Sequence, residues 1–161
     1  MKQSYFETIV LLERLHRQFL DVVKMEIERL GIQDINSVQA LILYNIGKEE
    51  LTVGELTHRG YYLGSNVSYN VKRMVENGYL EQQRSLHDRR SIRVRLSEKG
   101  LELYGRLDEM YERHVVGLDA TPVEGENLEE VVATLKRLER YWGGIVAGHT
   151  TATPLSARSA A

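Results

Sequence analysis

Apolar residues recur along most of this chain at intervals of three and four, the period of helices with one buried face. From Lys2 to Leu30 the repeat runs through Tyr5, Ile9, Leu12, Leu15 or His16, Phe19, Val22 or Val23, Ile27 and Leu30, and Gly31 ends it. Such a helix spans roughly 43 Å at 1.5 Å per residue. That is more than a domain of this size needs to cover its own core. A shorter helix is predicted from Asp34 to Ile46, capped by Asn36 with Gln39 at the reciprocal position. Val38, Leu41, Ile42 and Ile46 form its stripe, and Gly47 closes it.

Between Leu51 and Gly100 the pattern changes character. Thr52 and Glu55 have capping-box spacing and start a short helix that Gly60 ends. A tight connection to Gly64 leads to Ser65, a good N-cap for a second helix. Val67, Val71, Met74 and Val75 mark its buried face, and Asn77-Gly78 stops it. Two β-like runs follow, Tyr79 to Gln83 and Ile92 to Leu96, around a polar, basic turn. Ile92, Val94 and Leu96 alternate with Arg93 and Arg95, which predicts one packed face and one cationic face. Ser97 then caps a long helix whose face is marked by Leu101, Tyr104, Leu107, Met110 or Tyr111, His114 and Leu118. Asp119 to Glu126, with Thr121-Pro122 and Gly125, breaks it. Asn127 with Glu130 caps a last helix, striped by Leu128, Val131 or Val132, Leu135, Leu138, Trp142 and Ile145. His149 to Ala161 is small and polar and reads as a mobile tail.

The predicted fold is therefore mainly α with a small β-hairpin. Helix, turn, helix and an arginine-rich hairpin make a winged helix-turn-helix, a shape suited to a major groove and its flank. The reading head covers about residues 34–100 of a single domain, 1–148, with a tail at 149–161. The segments 2–30, 98–118 and 127–147 supply long helices whose apolar stripes the head cannot cover alone, so a two-fold homodimer is expected. Charge adds to this picture. The net value of −2 does not advertise a nucleic-acid binder. Yet from Tyr61 to Lys99 there are eight Lys/Arg against four Asp/Glu, and from Gly100 to Gly148 five against ten. The basic excess sits in the head.

On the second helix of the head, the polar face holds Ser65, Asn66, Ser68, Tyr69, Lys72 and Arg73. Serine, asparagine and tyrosine can read base edges or hold phosphates, and the two cations can neutralise phosphates. Glu76 is the only acid between Ser65 and Gly78, where a merely solvated face would more often carry Glu-Lys pairs. Double-stranded DNA is the expected partner. The alternative is a winged-helix module that binds protein without touching DNA, since fold alone does not settle function.

Other chemistry is poorly represented. The five histidines are scattered, and neither a His-Glu-x-x-His pair nor a lysine-bearing phosphate loop occurs. His58-Arg59 and His87-Asp88 read as solvated loop pairs. No catalytic residues, metal or cofactor are expected. The chain has no cysteine, which excludes disulfides, zinc-thiolate sites and thiol redox sensing. With no long apolar run and no signal-peptide pattern, a soluble cytoplasmic protein without membrane contact is expected.

The stretch VKRMVENGYLEQQRSLHDRRSIRVRLSEKG resembles the recognition helix and wing of the MarR family of bacterial transcription regulators. ENGYL after the helix, HDRRS at the wing tip and VRLSEKG at the exit carry the resemblance, which is clear from Asn36 to Leu118. It implies a homodimer in which the first helix helps build the core, and most often a repressor. It implies that the wing tip places an arginine at the minor groove: Arg90, with Asp88 orienting it and Arg89 on phosphate. It also implies a small aromatic or phenolic effector between dimer core and head. His16, Tyr44 and Tyr62 are the candidate pocket residues, with Tyr61 as further aromatic material nearby.

Overall fold

The structure, a computed structural model, describes residues 1–59, 64–84, 86–87, 91–123 and 125–151. Among the described residues, six helices and three strands follow in the order α1 (Lys2–Arg29), α2 (Ser37–Ile46), β1 (Leu51–Thr52), α3 (Val53–His58), α4 (Gly64–Glu76), β2 (Leu80–Arg84), β3 (Ile92–Leu96), α5 (Glu98–Leu118) and α6 (Gly125–Thr151). The predicted mainly α fold with a β-hairpin wing is the observed one. The chain divides into two compact units, Met1–Glu112 and Arg113–Ala161, and α5 runs across the boundary.

Local signals fix most helix starts in the first unit. Asn36 Oδ1 accepts from the Gln39 amide at 2.8 Å, and Gln39 Oε1 accepts from the Asn36 amide at 3.1 Å. Thr52 and Glu55 repeat the reciprocal pair at 3.0 and 2.7 Å. Ser97 Oγ accepts from the Gly100 amide at 3.1 Å and starts α5. Each cap satisfies backbone donors that a helix end would otherwise leave unpaired. Gly78 stops α4 in the left-handed region, at φ 79°. There the Tyr79 amide donates to Met74 O at 2.9 Å and the Gly78 amide to Val75 O at 3.0 Å. That pair of bonds is a Schellman cap, and it favours glycine because no Cβ crowds the carbonyl.

The three strands form one antiparallel sheet in the order β1-β3-β2. Leu51 pairs with Val94, Leu80 with Leu96, Glu81 with Arg95 and Arg84 with Ile92. Val23 and Ile27 of α1, Ile42, Leu43 and Ile46 of α2, Leu56 of α3, Val67, Val71 and Met74 of α4, Val94 of β3 and Leu107 of α5 share one core. Fully burying a side chain such as Leu56 stabilises the head by about 1.5–3 kcal/mol.

Several expectations are corrected. β1 was not expected; two residues are too few to show alternation. Ile92 is exposed rather than packed, because it sits at the outer end of the hairpin, opposite Arg84. On α5 the core face is Gly100, Leu103, Leu107 and Met110, and Leu101 points outward. α2 begins at Ser37, which frees Asp34 for other bonds. α4 begins at Gly64, so Ser65 lies inside its first turn instead of capping it. α6 starts at Gly125, two residues before the expected cap Asn127. It runs to Thr151, so residues 149–151 are helical, and the rest of the expected tail lies outside the described residues.

In the first unit, α1 packs through Phe19, Val22, Val23, Ile27 and Leu30, whereas Tyr5, Phe6, Val10, Leu11 and Leu15 nearer its start are exposed. In the second unit, the α6 stripe is uncovered at Leu128, Val131, Val132 and Ile145. Among the described residues no helix is long and apolar enough to cross a membrane.

Candidate nucleic-acid interface

α4 turns two chemically distinct faces outward and inward. Val67, Asn70, Val71 and Met74 are buried. Asn66, Ser68, Tyr69, Lys72 and Arg73 are exposed, Tyr69 at 64%. A large aromatic so exposed has given up burial worth about 1.5–3 kcal/mol, which makes it a candidate contact residue. The backbone of Ser65 is helical, and its side chain lies outside the described set.

Two of the cations are already engaged. Arg73 Nη1 lies 2.9 Å from Glu76 Oε2, one turn along the helix. Arg95 pairs with Glu81 across the hairpin at 2.9 Å, on residues directly opposite in the register. Either arginine must exchange a carboxylate for a phosphate if it is to bind DNA. Arg93 is exposed on the same strand, and its charge contributes, after the Thr52 backbone hydrogen bond, to holding the Glu55 carboxyl below its ordinary range. Between α3, α4 and the hairpin lies a cleft of about 650 Å³ lined by Thr52, Val53, Ser68, Lys72, Gln82 and Ile92. The expected wing-tip residues Asp88, Arg89 and Arg90 lie outside the described residues.

Two of the motif pieces that carried the resemblance, ENGYL and VRLSEKG, meet at one junction with Asp34. The Tyr79 hydroxyl donates to Asp34 Oδ1 at 2.6 Å, and Lys99 Nζ donates to Asp34 Oδ2 at 2.7 Å. Lys99 also donates to Asn77 O at 2.9 Å and stands 4.1 Å over the Tyr79 ring. Asn77 Nδ2 returns a bond to Asp34 O at 2.7 Å. Ser97 Oγ donates to Gly78 O at 2.6 Å. A Cβ at Gly100 would drive into the Tyr79 carbonyl oxygen, so only glycine fits there. These bonds tie the end of α4 and the root of the hairpin to the start of α5. The Lys99 ammonium, then the Tyr79 hydroxyl, hold the Asp34 carboxyl below its usual range. Burial pushes the Tyr79 hydroxyl up, so it remains a proton donor.

His16 is exposed on α1, Tyr44 is part of a packed aromatic group, and Tyr62 lies outside the described residues, as does Tyr61. Tyr44 stacks on Tyr104 at 4.9 Å, meets Tyr111 at 4.7 Å and donates its hydroxyl to Asp108 at 2.8 Å. Phe19 extends the group to α1 through Tyr111 at 5.8 Å. Among the described residues no cluster of His, Asp and Glu could hold a metal ion.

Sequence reading missed Asp34, Lys99 and Asn70. Asp34 meets partners 45 and 65 positions away, and nothing local announces such contacts. Asn70 did leave a signal, because it is a polar residue in register with Val67, Val71 and Met74.

Residues 31–91 match the model of the MarR family. The chain is 41% identical over 140 residues to the exopolysaccharide II synthesis transcriptional activator ExpG of Rhizobium meliloti (strain 1021), covering 87% of this chain and 72% of that protein. Its fold is similar to that of S. aureus MepR in a complex with DNA, with a TM-score of 0.68, 16% identity, and coverage of 83% of this chain and 96% of that one. It is also similar to staphylococcus aureus MarR in complex with salicylate and kanamycin, with a TM-score of 0.67, 24% identity, and coverage of 88% and 91%. The wing, the capped helix pair and the extent of the match to ExpG lead to one conclusion: this chain is a winged-helix transcriptional regulator and belongs to the MarR family.

Proposed function

We propose that this protein is a homodimer that binds an inverted-repeat operator, with α4 in the major groove and the hairpin at the adjacent minor groove. One observation carries the reading: α4 buries an apolar face and leaves Asn66, Ser68, Tyr69, Lys72 and Arg73 exposed beside an arginine-bearing hairpin. Ser65 joins them at the start of the helix. At the tip, Arg90 enters the minor groove, Asp88 orients it and Arg89 meets phosphate. A carboxylate two residues away limits the side-chain entropy that an isolated arginine would lose on binding. A protein that works on the chromosome in this way acts in the cytoplasm.

The exposed apolar residues of α1 and α6 support the dimer, because burying them between two copies satisfies both helices at once. Two heads about 34 Å apart would meet successive major grooves. The name of ExpG favours activation over the repression that the family resemblance suggested. Operator position relative to the promoter sets that sign, and the reading head is the same in either case. Salicylate in the S. aureus MarR complex favours an aromatic acid as effector. Such a ligand acts by binding one head spacing more tightly than another.

The test is selection of duplexes from a random-sequence library by the full-length chain, followed by binding at several salt concentrations. Ser68→Ala and Tyr69→Ala should weaken the selected duplex by about 1–3 kcal/mol and random DNA much less. Equal losses on both would reduce these side chains to backbone positioning. Asp88→Ala should weaken binding although it removes a negative charge, and tighter binding would discard the orienting role. Salicylate should raise the melting temperature and release the duplex, because a ligand selective for the folded state stabilises it. A panel of aromatic acids that moves neither signal would remove the effector.

A further inference from the structure

Among the described side chains, the apolar face of α4 carries one polar residue, Asn70, three positions after Val67 and four before Met74. It is 8% exposed, and its partner on α2, Gln39, is 6% exposed. Their amides form a chain with a direction. The Asn36 amide donates to Gln39 Oε1 at 3.1 Å. Gln39 Nε2 donates to Asn70 Oδ1 at 3.1 Å. Asn70 Nδ2 donates to Asn66 O at 2.8 Å. Both ends of the chain are backbone groups of fixed polarity, a donor on α2 and an acceptor on α4. Flipping either side-chain amide would therefore set donor against donor or acceptor against acceptor.

The remaining contacts of this face, through Val67, Val71 and Met74, are apolar. Dispersion contacts are individually weak and tolerate small repacking, so they leave the rotation of a helix loosely defined. A hydrogen bond weakens steeply with angle and distance. Asn70 follows Ser68 and Tyr69 directly, so any rotation of α4 about its axis that moves Asn70 moves them too.

We propose that Asn70 is a positioning residue for base reading: through Gln39 it holds α4 at one rotation, and so sets the angle at which the exposed face meets the groove. This rests on the reading of α4 as the DNA-contacting helix. The pair is a device of specificity, with little to add to stability, because an apolar pair of the same shape would pack as well.

The experiment compares Asn70→Leu, Gln39→Met and the double variant, all in the full-length chain. The probes are the duplex that the unaltered chain enriches from a random library and a scrambled duplex of the same composition. The double variant should stay folded and melt slightly below the unaltered protein, because the Gln39–Asn70 pair is replaced by apolar side chains of similar shape while the Asn36 amide, at the exposed start of α2, loses the Gln39 half of its capping box. Its preference for the enriched duplex should fall about tenfold or more, the size of a misplaced base contact. Binding to the scrambled duplex should not change. Single and double variants should lose a similar factor, because the pair acts as a unit. A folded double variant that keeps the original preference overturns the proposal, and so does one that loses both duplexes equally. Should the double variant fail to fold, Gln39→Glu decides. It still accepts from the Asn36 amide but sets an acceptor against Asn70 Oδ1, and retained preference there overturns the proposal. Failure of the unaltered chain to enrich any duplex is a separate result, and it would remove the reading of α4 along with the role of Asn70.

Discussion

At the scale of single residues, the junction around Asp34 ties the end of α4 and the hairpin root to the start of α5. Its carboxyl titrates below the ordinary carboxylate range because Lys99 and then Tyr79 donate to it. A folded-state pKa that is depressed means stability that is fully present above the unfolded value, about 3.9, and lost as pH falls through the lower folded value. Asp34→Asn should therefore lower the melting temperature at neutral pH, and the difference from the unaltered protein should close in acid. Melting curves from neutral to strongly acidic pH check this; a difference that stays constant with pH would place the cost elsewhere. Gly100 is the second such position. Gly100→Ala sets a methyl group against the Tyr79 carbonyl, backbone against side chain with no rotamer to relieve it. A loss of about 1–3 kcal/mol or more is expected, read as a fall in the denaturation midpoint. An unchanged midpoint would show that the hairpin root can shift at no cost.

At the scale of elements, α4 both builds the core and presents the interface, and the Arg73–Glu76 pair lies on the presenting side. Both side chains are about half exposed, so the pair contributes little to stability, about 0–1 kcal/mol. Its effect is on availability, since Glu76 competes with phosphate for the guanidinium. Glu76→Gln should tighten binding to selected and random duplexes alike, by a few-fold, and steepen the salt dependence by about one released ion. The control is Arg73→Gln together with Glu76→Gln. If that double variant is tightened as much as the single one, simple relief of repulsion explains the gain and Arg73 does not reach phosphate.

At the scale of the whole molecule, uncovered apolar surface is the dominant fact. Tyr5, Phe6, Val10, Leu11 and Leu15 on α1, and Leu128, Val131, Val132 and Ile145 on α6, are exposed in the single chain. Surface of this kind at two separate helices marks an interaction face. Deleting residues 1–20 should yield monomer or aggregate and abolish operator binding, although the capped helices and the hairpin are untouched. Linking two heads raises affinity through effective concentration, so a lone head should bind weakly. Sedimentation of the full-length protein at 18.5 kDa in the micromolar range, with operator binding intact, would refute the dimer.

What the sequence by itself determined are the features whose causes lie within one or two turns of chain. Asn36 with Gln39, Thr52 with Glu55, and Ser97 start helices where their side chains reach backbone amides three residues on. Gly78 ends α4, its own amide bonding Val75 O and the next amide, of Tyr79, bonding Met74 O, equally local. The faces of α4 followed from period alone, the order of helix, turn, helix and hairpin gave the winged helix-turn-helix, and the motifs ENGYL, HDRRS and VRLSEKG carried the resemblance to the family. Only the tertiary structure decided the rest. β1 exists because β3 lies beside Leu51 and Thr52, not because two residues have a propensity. Leu103 displaced Leu101 from the core through the direction in which α5 leaves the hairpin, pinned by Gly100 against Tyr79. Arg95 reads as a cation for DNA, yet it holds the Glu81 carboxylate that the hairpin register brought alongside, whereas the Arg73–Glu76 pair is local to α4. Asp34 and Asn70 owe their roles to partners 31 to 65 positions distant. Periodicity describes which way a side chain faces on its own element. What it meets there depends on chain closure over tens of residues, and only the assembled core supplies that.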